Sequence, residues 1–186
     1  MSRNGAGGWS RIARRIRVPL GFALGVVYLW LARPSWRSIV LGAAVASIGV
    51  ILRALASGHV KKNEELTITG PYAYTRNPLY LGSIIIAVGF AAAAQSVWIV
   101  ILIMAMFAAI YVPVIGDEEA YLRSKFPDYA AYAARVPRFI PRLSSVSSPG
   151  SGFSLKLYLR HREYNALLGA LLVIAVLVAK LIWCPR

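Results

Sequence analysis

The chain has 186 residues, 58% hydrophobic and 15% charged, with a formal net charge of +14. A soluble domain is about 25% charged, so composition excludes an ordinary soluble fold, and the length allows one compact unit rather than several. The basic residues flank apolar runs, which points to a membrane and away from nucleic acid, and the single cysteine, Cys184, excludes a disulfide framework or a multi-cysteine metal site.

Residues 1–17 (MSRNGAGGWSRIARRIR) form a basic arm, and no small-residue cleavage motif closes the apolar run that follows. A retained first helix is therefore expected rather than a cleaved signal. A bilayer crossing takes about 20 apolar residues. Five segments approach this: Val18–Ala32, Ser38–Ala56, Leu79–Ala94, Val97–Ile115 and Asn165–Trp183. Arg33-Pro34-Ser35 marks a sharp turn between the first two. Only Gln95-Ser96 separates the third and fourth, which predicts a tight antiparallel hairpin. Late in the second segment, Arg53 is expected to snorkel to the surface. Ser144–Gly152 (SSVSSPGSG) reads as a flexible linker before the last helix, 165–183. The expected class is an all-α integral membrane protein, a single membrane domain over 1–186 with five crossings.

With the N-terminus in the cytoplasm, 17 of the 21 Lys and Arg fall inside. The positive-inside rule thus places the N-terminus in the cytoplasm and the C-terminus outside, as suits a bacterial inner membrane. All seven acidic residues fall on the same side. Any active site is expected at the cytoplasmic membrane edge.

Two motifs lie at that edge. Gly70 to Gly82 read GPYAYTRNPLYLG. Gly70-Pro71 signals a turn, and Asn77-Pro78 signals a helix start with asparagine as cap. The tyrosines suit an interfacial belt. Arg76 beside a helix start also suits an anion site, and the residues alone leave both readings open. Asp117-Glu118-Glu119, followed by Leu122, Phe126, Tyr129 and Tyr132, look like a helix leaving the membrane, while Gly116 just before them points instead to a new helix start, where acids favour the helix dipole. The tract Tyr129–Pro141 (YAAYAARVPRFIP) begins as a helix and is broken by Pro137 and Pro141; its basic residues suit anionic headgroups. His59 and His161 are isolated and read as interface residues.

The order GPYAYTRNPLYLG, helical hairpin, DEEAYL, KFPDYAAYAARVPRFIP resembles the integral-membrane methyltransferases typified by isoprenylcysteine carboxyl methyltransferase and phosphatidylethanolamine N-methyltransferase. The likeness covers about Glu64 to Arg142, a methyltransferase-like core over 64–142. It implies a cytoplasmic pocket for S-adenosylmethionine. Matched to the family's cofactor contacts are Glu64, Glu65, Leu66 and Thr67, then Tyr72, then Asn77, Pro78, Leu79 and Tyr80. Asn77 stands where the family often has histidine. Glu118 and Glu119 match the acidic pair, which serves substrate in the carboxyl methyltransferases and cofactor in the phospholipid enzymes. Tyr111–Gly116 lacks the arginine that the carboxyl methyltransferases carry before that pair.

The resulting expectation is methyl transfer to a lipophilic small molecule or lipid-modified substrate, with membrane lipids as surroundings. Carboxyl O-methylation is the closest likeness, and N-methylation of a lipid amine is the alternative. A non-catalytic membrane protein on the same scaffold is a third reading. Arg76, Glu118 and Glu119 are the expected catalytic groups, and Glu118 and Arg135 are expected at the substrate.

Overall fold

The computed structural model describes residues 6–61, 64–144 and 152–183, and among them every regular element is helical. These are α1 (Ala6–Leu31), α2 (Trp36–His59), α3 (Pro78–Ala94), α4 (Val97–Met106), α5 (Val112–Lys125), α6 (Tyr129–Arg135), α7 (Leu155–Arg160) and α8 (Tyr164–Trp183). Three helices are long and apolar enough to cross a membrane: Trp36–His59, Val97–Lys125 and Tyr164–Trp183. Two shorter apolar stretches, Pro19–Leu31 and Pro78–Ala94, complete the five expected segments. The basic arm proves helical from Ala6 and runs into the first apolar segment without a break. Most of the expected linker, 145–151, and Cys184 lie outside the described residues.

The bundle is organised on the antiparallel pair α2 and α3. Lipid gives two helices little hydrophobic reason to associate, so close backbone approach must supply the attraction. The sequence provides it with Gly42, Ala46 and Gly49 on α2 facing Gly82, Gly89 and Ala93 on α3. A Cβ on Gly49 would lie 2.5 Å from the Gly82 carbonyl oxygen, and one on Gly89 would lie 2.6 Å from the Gly42 carbonyl oxygen. Only hydrogen fits at either place.

At one end of the bundle the turns lock together. Ser35 and Ser38 form a reciprocal capping box at the start of α2, and Ser38 Oγ also donates to the Ala93 carbonyl at 3.0 Å. The Arg33 amide donates to the Ala94 carbonyl at 2.8 Å. Lys180 of α8 donates to the carbonyls of Leu29 and, at 2.8 Å, Ala32, supplying a cation at the C-terminus of α1. Tyr28, Ile39, Ile99 and Leu177 pack beneath these bonds. The last helix, which lies beyond the family-like core, is thereby part of the bundle.

At the opposite end, Arg53 does not merely snorkel. Its guanidinium donates to Glu163 at 2.5 Å, Ser83 Oγ at 2.5 Å and the Leu79 carbonyl at 3.2 Å, pinning α2 to α3 and to the approach of α8. Three acceptors at fixed positions within the bundle outbid water for the donors. His161 is likewise not a loose interface residue: its Nδ1 lies 3.0 Å from the Ser57 carbonyl oxygen.

Of the two readings of the acidic run, the structure has the helix that leaves the membrane and not the new start. Helix runs unbroken from Val97 to Lys125, and Gly116 starts nothing. Pro113 lacks an amide hydrogen and would strain an α-helix, but a π-helical turn, Phe107–Tyr111, precedes it and absorbs the defect. The acidic run therefore lies inside a helix, and Arg123 and Lys125 occupy its last turn, where cations suit the dipole.

Gly89→Val should destabilise the bundle by at least the roughly 1–3 kcal/mol typical of overpacking, read as a lower melting temperature in detergent. Gly25→Ala, where a Cβ meets nothing within 4 Å, should leave the melting temperature unchanged or raise it.

Candidate active site

The site is built on the loop from Gly70 to Asn77. Gly70 has φ +59°, and a Cβ there would lie 2.5 Å from the His59 ring, so both conformation and space demand glycine. A 3₁₀ turn, Gly70–Ala73, follows and brings the chain to Pro78, the first residue of α3. Asn77 occupies the cap position but does not cap. Its Nδ2 instead donates to Glu119 Oε1 at 3.1 Å and to the Arg138 carbonyl at 3.3 Å.

A second segment, 137–142, lies alongside this loop. The Arg76 amide donates to the Pro137 carbonyl at 2.9 Å, and the Arg142 amide donates to the Tyr74 carbonyl at 3.0 Å. Thr75 Oγ1 donates to the Arg138 carbonyl at 3.0 Å. Pro137 and Pro141 keep the helix from resuming after α6, and the bent segment between them leaves these backbone groups free to pair across. Tyr132 of α6 adds a hydrogen bond from its phenol to the Tyr72 carbonyl at 2.8 Å. The two motifs separated by about sixty residues of sequence thus form one layer.

Glu119 joins this layer to α5. It is only 9% exposed and accepts from Arg138 Nη2 at 2.5 Å and Nε at 3.1 Å, a forked contact, while Arg76 Nη1 lies 3.8 Å away. The Glu119 carboxylate holds the Arg138 guanidinium above its already high ordinary pKa, so that group is a permanent cation.

Between the loop, α5 and α6 is a cavity of about 610 Å³. Its wall includes Glu65, Leu66, Thr67, Tyr72, Arg76, Asn77, Pro78, Leu79, Tyr80 and Glu118. Ten of the residues singled out in sequence thus surround one space. Glu64, Glu119 and Arg135 are not on that wall. Glu64 is paired with Arg160 at 3.3 Å, Glu119 is engaged as described, and Arg135 is exposed, bonded to the Ala131 carbonyl of its own helix at 3.4 Å. Glu65 pairs with Lys61 at 2.9 Å on the cavity rim.

Polar groups on the wall are partly committed. The Tyr80 phenol donates to Glu118 Oε2 at 2.9 Å, and the Tyr80 ring packs edge-on against Tyr111. Arg76 Nε and the Tyr129 hydroxyl are buried with no well-formed hydrogen bond among the described residues, and the two side chains lie close enough to interact. Burial pushes the Tyr72, Tyr129 and Tyr132 phenols above their ordinary pKa, so all three remain neutral donors.

Sequence reasoning missed Tyr129, Tyr132 and Arg138. The tract Tyr129–Pro141 reads as a basic interfacial segment, and only the spacing of three between its first two tyrosines on a short helix hints that both face one way. Arg135 and Arg138 sit in the same basic tract, and nothing linear distinguishes them. The fold does, because Arg135 turns back onto its own helix while Arg138 reaches Glu119 of α5.

A family model described as phospholipid methyltransferase matches residues 17–129. The cobalt-zinc-cadmium resistance protein CzcN of Cupriavidus metallidurans is 39% identical over 105 residues, covering 56% of this chain and 48% of its own length. The nickel-cobalt-cadmium resistance protein NccN of Alcaligenes xylosoxydans xylosoxydans is 36% identical over 116 residues, covering 62% of this chain and 54% of its own. The chain thus spans about half the length of these curated relatives. No solved structure matches. Among the described residues, no group of three or more His, Cys, Asp or Glu is arranged to hold a metal ion. With the matched region covering more than half the sequence, the chain belongs to the phospholipid methyltransferase family.

Proposed function

We propose that the chain transfers a methyl group from S-adenosylmethionine to a lipophilic acceptor at the membrane edge, on the side that the Lys and Arg distribution assigns to the cytoplasm. The observation that carries this reading is the cavity on whose wall the Arg76–Tyr80 segment, Tyr72, Glu65–Thr67 and Glu118 meet. Its volume lies within the range of small-molecule sites.

The wall fits the donor's chemistry. S-adenosylmethionine supplies an electrophilic methyl on a sulfonium and carries a carboxylate, an ammonium and a ribose diol. Arg76 Nε and the Tyr129 hydroxyl, buried and without a well-formed hydrogen bond among the described residues, suit the carboxylate. Glu65 suits the diol or the ammonium, and the rings of Tyr72 and Tyr80 suit a sulfonium face. Positioning dominates such a displacement, and the Glu119 tie through Asn77 and Arg138 holds Arg76 and the start of α3 in place. Glu119 acts in this reading as a positioning residue rather than a reacting one.

On the acceptor side, Glu118 favours an amine over a carboxylate. It is the acid on the wall of α5, and the stretch Tyr111–Gly116 before it brings no cation to neutralise a second carboxylate. An amine must lose a proton before or during transfer, and Glu118, oriented by the Tyr80 phenol, is placed to take it. This reading gives the lipid amine precedence over the carboxyl O-methylation expected from sequence. The metal-resistance relatives suggest the setting: methylation of a membrane component by a cell under metal load.

Purified protein in detergent should bind S-adenosylmethionine with micromolar affinity by calorimetry; absence of heat would overturn the proposal. Arg76→Ala should weaken that binding by about tenfold or more, the loss of one charge-assisted hydrogen bond. Glu118→Gln should keep donor binding and lose about 10²–10⁴ in methyl transfer to membrane extract. With radiolabelled donor, the product should resist mild base; volatile methanol would mark an ester and restore the carboxyl reading. Glu119→Ala should lower both activity and stability, the latter by about 1–3 kcal/mol for the unsatisfied partners left behind, whereas Glu118→Gln should leave the melting temperature unchanged.

A further inference from the structure

The Gly70–Asn77 loop has two sides, and the cavity uses one. Tyr72, Arg76 and Asn77 face the cavity. Gly70, Pro71, Tyr74 and Thr75 instead border a second space of about 440 Å³, closed off by Leu52 and Leu55 of α2, Leu81 of α3 and Pro141. This groove opens on the flank of α2 that carries Ile48, Ile51 and Leu55 outward, 60%, 58% and 42% exposed, a surface only hydrocarbon would cover. At its mouth, the Arg142 amide bonds the Tyr74 carbonyl, and the Arg142 guanidinium lies against the end of α6, donating to the Arg135 carbonyl at 2.5 Å. Ile140 and Leu143, on either side of Pro141 and Arg142, are 82% and 105% exposed. His59 also borders the groove, and among the described residues no acidic side chain does.

An apolar slot running along the lipid-facing side of a helix, with Arg142 at its membrane-edge end and apolar side chains beside it, has the shape and charge order of a phospholipid. We infer that this groove binds one anionic phospholipid of the surrounding bilayer, an acyl chain against Leu52, Leu55 and Leu81 and the phosphate on Arg142. The site is separate from the methyl-transfer cavity, and the Gly70–Asn77 loop forms the partition between them. The inference rests on the membrane placement of α2 and α3 and stands whether or not the cavity binds S-adenosylmethionine.

Native mass spectrometry in detergent with added lipid tests it. Phosphatidylglycerol should be retained more strongly than phosphatidylcholine. Arg142→Gln should cut that preference about fivefold, the worth of one arginine at a membrane surface. Leu52→Trp, which fills the groove from the α2 side, should reduce retention of both lipids. Arg76→Lys, on the cavity side, should leave retention unchanged. Equal retention of the two lipids by the unmodified protein would overturn the inference. So would loss of retention in Arg76→Lys but not in Arg142→Gln, because the lipid would then lie in the methyl-transfer cavity. Melting temperatures of the variants identify any that lose lipid by unfolding.

Discussion

The carboxylate of Glu119 is the constraint on which the membrane edge of this protein depends. A buried acid must be fully paired or it will not stay charged, and this one is paired by three segments at once. Arg138 comes from the bent segment after α6, Asn77 from the start of α3, and Arg76 from the loop before it. Remove the acid and two cations face each other across a gap with nothing to hold the segments together. The cost of burying Glu119 is met by geometry, and that same geometry fixes the wall of the cavity. Neighbouring acids on one helix therefore do different work: Glu119 faces inward and joins, while Glu118 faces the cavity and stays available to a ligand.

The bundle beneath has a different kind of constraint. Its central pair, α2 and α3, meets through glycine and alanine, so the backbones themselves are in contact. Such a seam tolerates no sliding, because each glycine hydrogen sits against a carbonyl oxygen of the other helix. Arg53 extends the seam to the membrane edge, where Leu79 and Ser83 belong to the same first turns of α3 that hold Asn77 and Tyr80. A rigid seam thus places one wall of the cavity, and α5 brings the facing wall.

Much of this was legible in the sequence, and the reasons are physical. Apolar length marks membrane helices directly, so the five segments and the Gln95-Ser96 hairpin could be read off. The Gly70–Tyr80 and Glu118 motifs could be grouped because their chemistry is distinctive and their order matches a known pattern, and residues of both line one cavity. Gly116 misled because a glycine before three acids is the ordinary signature of a helix start. Cancelling it took a π-helical turn, which depends on hydrogen bonds no residue pattern announces. Asn77 and Arg53 misled for a related reason. Each has a default role at its position, cap or snorkel, and each was drawn from it by a partner distant in sequence, Glu119 and Glu163.

The π-helical turn also has a consequence for phase. It inserts one residue more than an α-helix needs between the lipid-facing part of α4 and the acidic part of α5. Each helical residue advances the face by roughly 100°, so everything after Tyr111 is rotated by about that angle relative to a straight continuation. Without that rotation the apolar stripe that suits the bundle and the acidic stripe that suits the cavity would fall on the wrong faces of one rod. A single rigid helix is thereby matched to two surroundings, hydrocarbon along one length and a polar cavity along the next, by a change of angle rather than a change of sequence pattern.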